Sequence, residues 1–284
     1  MATAGPVRTK GQSLYYEVHG EGEPLVLIMG IGYDSALWHL HQVAVLARDF
    51  KVVVFDNRDA GRSAPARSAY GIADMADDVA GLLDELAIER AHVLGLSMGA
   101  LIAQEFAVRH STRVGGLVLS GPDFAPARHV CHPIAVWDWV KTHDTDGAVF
   151  GAQQLTWLFS TAFLRNDVAV KQTVALLASN PNPVTKEGYA RQARAYLEYD
   201  PADRLAAITA PTLVIVGEQD LLTPPWIARE VAAAIPGAEL EVITGEGASH
   251  VVPLERPEEF NQLVVSFLMQ QQNARGNVPR AYVF

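Results

Sequence analysis

The chain holds a single cysteine in 284 residues, so an intramolecular disulfide is excluded and the composition suits a reducing compartment. Cys131 has no histidine–glycine nucleophile context and reads as a small packed side chain rather than a reactive thiol. Basic charge is also scarce. Twenty-two Lys and Arg against 32 Asp and Glu leave a formal charge of −10, so no broad cationic face is available for phosphates. Nucleic acid and an anionic membrane surface are therefore poor partners. No stretch approaches the roughly 18 uninterrupted apolar residues of a membrane span. The opening "MATAGPVRTKGQSLYYEVHG" has no apolar core behind its basic residues, so no export signal is visible and a cytoplasmic, water-soluble chain is the default expectation. The nine histidines show no metal-ligand spacing and no internal repeat stands out, so neither a metal nor another cofactor is expected.

Hydrophobic residues make up 49% of the chain, enough for a large core. Short β-rich runs alternate with longer helical patterns, as when parallel strands are joined by crossover helices. "LYYEVHG" (14–20), "PLVLIMG" (24–30), "KVVVFDN" (51–57), "AHVLGLS" (91–97), "GGLVLSG" (115–121), "PTLVIVG" (211–217) and "ELEVITG" (239–245) read as strands. Between them, Met75, Val79, Leu82, Leu83 and Leu86 fall on one helical face, with Asp77, Asp78 and Asp84 mainly elsewhere. "MGALIAQEFAVRH" and "ERPEEFNQLVVSFLMQ" are further helices, the latter with Pro257 suited to a first turn and Glu258 and Glu259 to the helix dipole.

The alternation stops between about Asp123 and Asp203. That segment holds ten of the 23 aromatic residues and reads as helices and loops inserted into the core. The expected division is therefore a core in two parts, 1–122 and 204–284, with a helical insertion at 123–203. Aromatics there either pack a helical unit or line a ligand cleft, and Trp137, Trp157 and Phe159 are the candidates for substrate contact. The tail after Gln270 is polar until "AYVF", which either frays or docks on a neighbouring surface.

Gly95-Leu96-Ser97-Met98-Gly99 fits G-x-S-x-G at a strand-to-helix junction. A serine on such a turn is held in a strained backbone conformation, and side chains two before or two after would collide, so glycine flanks it. An ordinary tight turn would give the same five letters. What favours a nucleophile is that an acid and a base follow, each just beyond a strand: Asp220 in "LVIVGEQDLLTPP" and His250 in "VITGEGASHVVPLERP". Loops beyond the carboxyl ends of parallel strands gather on one edge, so Ser97, Asp220 and His250 can converge. His250 would take the serine proton and Asp220 would fix the imidazole.

Asp123, just past a strand, is the alternative acid. His39, His41, His92 and His110 are weaker bases, since none follows a strand in a glycine-rich loop. Two aligned N–H donors should serve a developing oxyanion, from Met98 and from Ile31 in "MGIGYDSALW", with Gly30 and Gly32 letting the chain approach substrate.

The chain resembles the α/β-hydrolases over nearly its whole length, on the elbow and on "LIMGIGYDSALW", "FDNRDAGRSAP", "ITAPTLVIVGEQDLLTPP" and "GASHVVPLERPEEF". The resemblance implies an α/β fold, a mostly parallel sheet with helices on both faces, and a helical cap after the sixth strand. Many such relatives carry His-Gly where this chain has Met29-Gly30, and a serine at position 97 sets it apart from relatives with an aspartate nucleophile. "FDNRDAGRS" with "HVLGLSMGA" is similar to aclacinomycin methylesterase-like and enol-lactonase-like members, and in it Asp56, Arg58 and Gly61 are expected to hold a loop near the site. The resemblance implies a carboxylic ester hydrolase for small to medium, fairly apolar substrates, with lactone or enol-lactone hydrolysis as the alternative. Perhydrolysis would be a side reaction. A small-molecule-binding protein on the same fold is the rival of another class, and self-association is left open.

Overall fold

Alternation along each strand fixes which side chains face which layer. In β3 (Glu23–Ile28), Leu25 and Leu27 point to one side of the sheet and Val26 and Ile28 to the other, and all four are buried. A strand covered on both faces must lie centrally between helical layers. The computed structural model describes residues 3–9, 11–124, 132–144 and 148–276; Cys131 and the terminal "AYVF" lie outside them.

Eight strands form one sheet: β1 (Thr3–Thr9), β2 (Gln12–His19), β3, β4 (Phe50–Phe55), β5 (Ala91–Leu96), β6 (Val114–Ser120), β7 (Thr212–Gly217) and β8 (Glu239–Ile243). Their order is β1-β2-β4-β3-β5-β6-β7-β8. β1 and β2 are antiparallel to their neighbours, and every pair from β4 to β8 is parallel. All seven expected strands are present. β1 is an addition that the apolar pattern hides: in "TAGPVRT" only Val7 and Thr9 are buried, and Pro6 is tolerated because the strand is at the edge.

One layer, with Val26, Ile28, Val93 and Val214, is covered by α2 (Ile72–Glu85), α3 (Met98–Arg109) and α9 (Pro225–Ala234). The other, with Leu25, Leu27, Leu94 and Ile215, is covered by α1 (Val43–Leu46) and α11 (Pro257–Gly276), through Leu46, Phe260, Val264 and Leu268. α10 (Val252–Glu255) precedes α11, whose first residue is Pro257. On α2, Met75, Val79, Leu82 and Leu83 are buried as expected, each burial contributing about 1.5–3 kcal/mol. Asp78 departs from the expectation: it is buried too, accepting from Arg58 Nε at 2.7 Å and Thr9 Oγ1 at 3.1 Å. Burial pushes its carboxyl up and the Arg58 hydrogen bond only partly offsets this, so its pKa stays above the ordinary carboxylate value.

Between β6 and β7 the described residues form α4 (Pro133–His143), α5 (Ala148–Leu158), α6 (Thr161–Leu164), α7 (Asp167–Ala178) and α8 (Lys186–Leu197). Side-chain caps begin most of them: His132 for α4, Ser160 for α6, Asn166 for α7 and Thr185 for α8. α8 is anchored by Tyr189, Gln192 and Tyr196, whereas α7 buries no residue.

Candidate functional site

Ser97 sits where β5 becomes α3, with φ 57° and ψ −122°. Positive φ is costly for a serine and persists only where the surroundings impose it. A Cβ on Gly95 would run into the Gly99 carbonyl, and one on Gly99 into the Ile28 carbonyl, so the flanking glycines are required by backbone proximity. Ser97 is largely buried, forming part of a cavity wall rather than an outer surface. Met98 is the first residue of α3, so its N–H has no carbonyl four residues back inside the helix and is free to serve a ligand.

Asp220 lies in the loop after β7 and His250 in the loop after β8, and both are buried. His250 Nδ1 is 2.8 Å from Asp220 Oδ2. The other carboxylate oxygen, Oδ1, accepts from the N–H groups of Leu222 (2.9 Å) and Thr223 (2.8 Å). Thr223 Oγ1 lies 3.0 Å from Asp220 Oδ2 and 3.2 Å from His250 Nδ1. The opposite ring nitrogen, Nε2, is buried without a hydrogen-bond partner, so Ser97 Oγ is not bonded to it in this state.

Ser97 and His250 line the same cavity of about 570 Å³. Its floor includes Gly30, Ile31, Leu96 and Leu222, and its roof comes from the helices between β6 and β7: Trp137, Leu158, Phe159, Phe163, Leu176 and Leu177. A Cβ on Gly30 would approach Ser97 Cβ to 3.2 Å, so glycine keeps the wall open over the serine. Of the four candidates for substrate contact, Gly30, Trp137 and Phe159 line this cavity. Trp157 does not: it packs half-buried against the core, one position off the turn that delivers Leu158 and Phe159 to the cavity. Trp139 neither packs nor lines the cavity; it is exposed and stacks on His143.

The alternative acid is taken. Asp123 accepts from His132 Nε2 (3.0 Å), Tyr196 Oη (2.7 Å) and the Phe124 N–H (2.7 Å), with no bond to His250. Burial pushes its carboxyl up, but the hydrogen bond and charge of His132 together with the other two donors outweigh it, and its pKa falls below the ordinary value. Other histidines are spent elsewhere: His92 and His39 on Glu23 and Glu17, His110 on Asp77. His39 follows Trp38 on a 3-10 turn, Ser35–Leu40, and His41 lies just past its end.

In the loop after β4, Asp56 accepts from the Ser35 and Arg62 backbones at 2.9 and 2.8 Å, while Gly61 (φ +54°) packs directly on its carboxylate. Arg58 points instead to Asp78 on α2, away from the cavity. Three contributors escaped the sequence reading. Thr223 carried a weak signal, three residues after Asp220 in a proline-rich turn. Asn57, whose Nδ2 donates to the Met29 carbonyl at 2.9 Å, lies inside the quoted "FDNRDAGRS" without a role assigned to it, and Gln192 on α8, bonded to the Gly32 N–H, has no signal.

Comparison with known proteins agrees with this architecture. The pattern described as alpha/beta hydrolase fold matches residues 23–257. A Mycobacterium tuberculosis protein bearing the provisional name non-heme bromoperoxidase BpoC is 34% identical over 90% of this chain and 97% of its own. The crystal structure of the enol-lactonase from Burkholderia xenovorans LB400 superposes with a TM-score of 0.82 at 29% identity, covering 93% of this chain and 100% of that one. Est816, described as an N-acyl homoserine lactone degrading enzyme, gives 0.80 at 32% identity over 93% and 100%. Among the described residues no helix is long and apolar enough to cross a membrane.

Proposed function

The chain belongs to the α/β-hydrolase fold family, and from that premise we propose that it is a serine hydrolase cleaving small to medium, neutral carboxylic esters through an acyl-enzyme. Ser97 is the nucleophile, His250 the base and Asp220 the residue that orients it. The observation that carries the reading is the His250–Asp220 pair, bonded through Nδ1 at 2.8 Å, with Nε2 unpartnered in the cavity that Ser97 also lines. A donor bond from Nδ1–H to the carboxylate leaves the Nε2 lone pair available to accept a proton.

In this mechanism Ser97 turns its Oγ toward Nε2, to within about 3 Å as substrate binds. Oγ attacks the ester carbonyl while its proton passes to Nε2, and the carbonyl oxygen becomes an oxyanion held by the N–H groups of Met98 and Ile31. Collapse expels the alcohol, which takes the proton from Nε2. Water then attacks the acyl-enzyme with the same base, releasing the acid and restoring Ser97. The described helices between β6 and β7 act as a cap, supplying the apolar roof that limits the entry of bulk water.

Lactones are the second reading, favoured by the likeness to an enol-lactonase and to a lactone-degrading enzyme. A lactone reacts by the same steps and yields one product instead of two. The deciding experiment is turnover of a matched panel of linear esters and lactones by the wild type and by Ser97→Ala. Activated short-acyl esters should show a burst of alcohol release, which Ser97→Ala should lose entirely. Undiminished turnover in that variant would falsify the assignment.

A further inference from the structure

Gln192 is wholly buried in the middle of α8, on the helical segment between β6 and β7, yet both ends of its amide are spent on core loops. Oε1 accepts the N–H of Gly32 at 2.8 Å, and Nε2 donates to the carbonyl of Arg58 at 2.9 Å. From the opposite direction, Asn57 Nδ2 donates to the carbonyl of Met29 at 2.9 Å. The Gly30–Ile31 peptide therefore lies between two pinned backbone groups, the Met29 C=O and the Gly32 N–H. The pins matter because glycine on each side of Ile31 leaves the backbone free to turn, and Gly32 already adopts φ +77°. The Tyr189 ring, one helical turn before Gln192, closes over Gly32 so tightly that a Cβ there would come within 2.9 Å of it.

We infer that Gln192 is a positioning residue for the oxyanion donor Ile31 N–H, so that the helical segment contributes to transition-state stabilisation without touching the reacting atoms. The inference rests on the proposed role of Ile31. An oxyanion donor is effective because it is aligned before charge develops, and a loop free to rotate loses that advantage. Losing the Gln192 bond should therefore lower kcat and leave ground-state binding of the ester nearly unchanged. A residue important only for packing would lower stability without that split.

Two variants test this: Gln192→Leu, similar in size with no polar atom, and Gln192→Asn, polar but one methylene too short to span both loops. Rates on p-nitrophenyl butyrate are normalised to active sites titrated with an organophosphonate, and the affinity for a trifluoromethyl ketone, a mimic of the tetrahedral intermediate, is measured in parallel. Each variant should lose about 10- to 100-fold in kcat, with KM within about threefold and ketone affinity weakened in step. Should the leucine variant fail to fold, the asparagine variant carries the same expectation. Wild-type kcat and ketone affinity in either folded variant overturns the inference, as does a change confined to KM. If the wild type turns over the ester but binds the ketone no better than the ester, the oxyanion assignment itself is wrong and the role of Gln192 falls with it.

Discussion

Asp220 and His250 are joined at 2.8 Å through Oδ2 and Nδ1, and the carboxylate takes two backbone N–H groups and the Thr223 hydroxyl besides. Four donors converge on one buried group and fix its orientation toward the imidazole. Asp220→Asn keeps the shape but replaces one acceptor oxygen with an NH2. The amide then either loses a backbone donor or faces Nδ1 with a donor of its own, and the second choice selects the tautomer protonated on Nε2. The expected outcome is a fall in kcat of about 10³- to 10⁴-fold with little change in melting temperature. Steady-state kinetics with a thermal melt checks it, and a loss under tenfold would remove Asp220 from its proposed role.

Gly121, the residue after β6, lies close against the same histidine. Its φ is +51°, and a Cβ there would lie 3.0 Å from His250 Cε1 and 3.1 Å from Nδ1. Gly121→Ala should therefore act in two ways. The left-handed backbone should cost about 1–2 kcal/mol of stability, and the methyl group should displace the ring from Asp220. The expected signature is a loss of kcat on active-site-titrated enzyme that exceeds what reduced folding explains. A variant less stable but fully active per folded molecule would show that the ring has room to spare.

The sheet and the Ser97–Asp220–His250 set were legible because each rests on a local pattern. Strands such as "PLVLIMG" are apolar throughout when both faces are covered, and the elbow glycines are demanded by backbone contacts that no other residue permits. Nothing in the sequence marks Gln192, and "FDNRDAGRS" holds Asn57 without showing its role, because the partners of both are backbone groups brought close only by the tertiary fold. β1 was hidden for a related reason: an edge strand needs few apolar residues, and "TAGPVRT" has little more than Val7 to signal it. Trp157 was misplaced because composition shows that aromatics crowd the segment but not which way each faces on α5.

The cavity walls carry a charge preference. Among the described lining residues, Glu246 and Glu255 are acidic and none is Lys or Arg. Glu255 is already engaged, accepting from the Ser160 N–H at 2.9 Å and from the hydroxyls of Ser160 and Ser249 at 2.6 and 2.5 Å. A substrate carboxylate would lose water on entering this apolar space and find no cation in return. p-Nitrophenyl butyrate should thus be hydrolysed with a kcat/KM about 100-fold or more above that of p-nitrophenyl hemisuccinate, which is similar in size but anionic. Comparable values for the two esters would contradict the neutral-substrate reading.

Asp123 joins the two ends of the helical segment to the sheet, taking His132 at the start of α4 and Tyr196 near the end of α8. Its pKa is lowered in the folded protein, where His132 and the two other donors outweigh burial. A carboxyl whose folded pKa lies below its unfolded value, about 3.9, contributes stability that is complete above that value. That contribution is lost as pH falls through the lower folded pKa. Asp123→Asn, which cannot carry the charge, should be less stable than wild type by about 1–3 kcal/mol at pH 7. The gap should hold down to about pH 4 and narrow below it. Urea unfolding of both proteins between pH 7 and pH 3 reads this directly, and a gap that stays constant into the acid range would show that the charge on Asp123 does not fasten the segment.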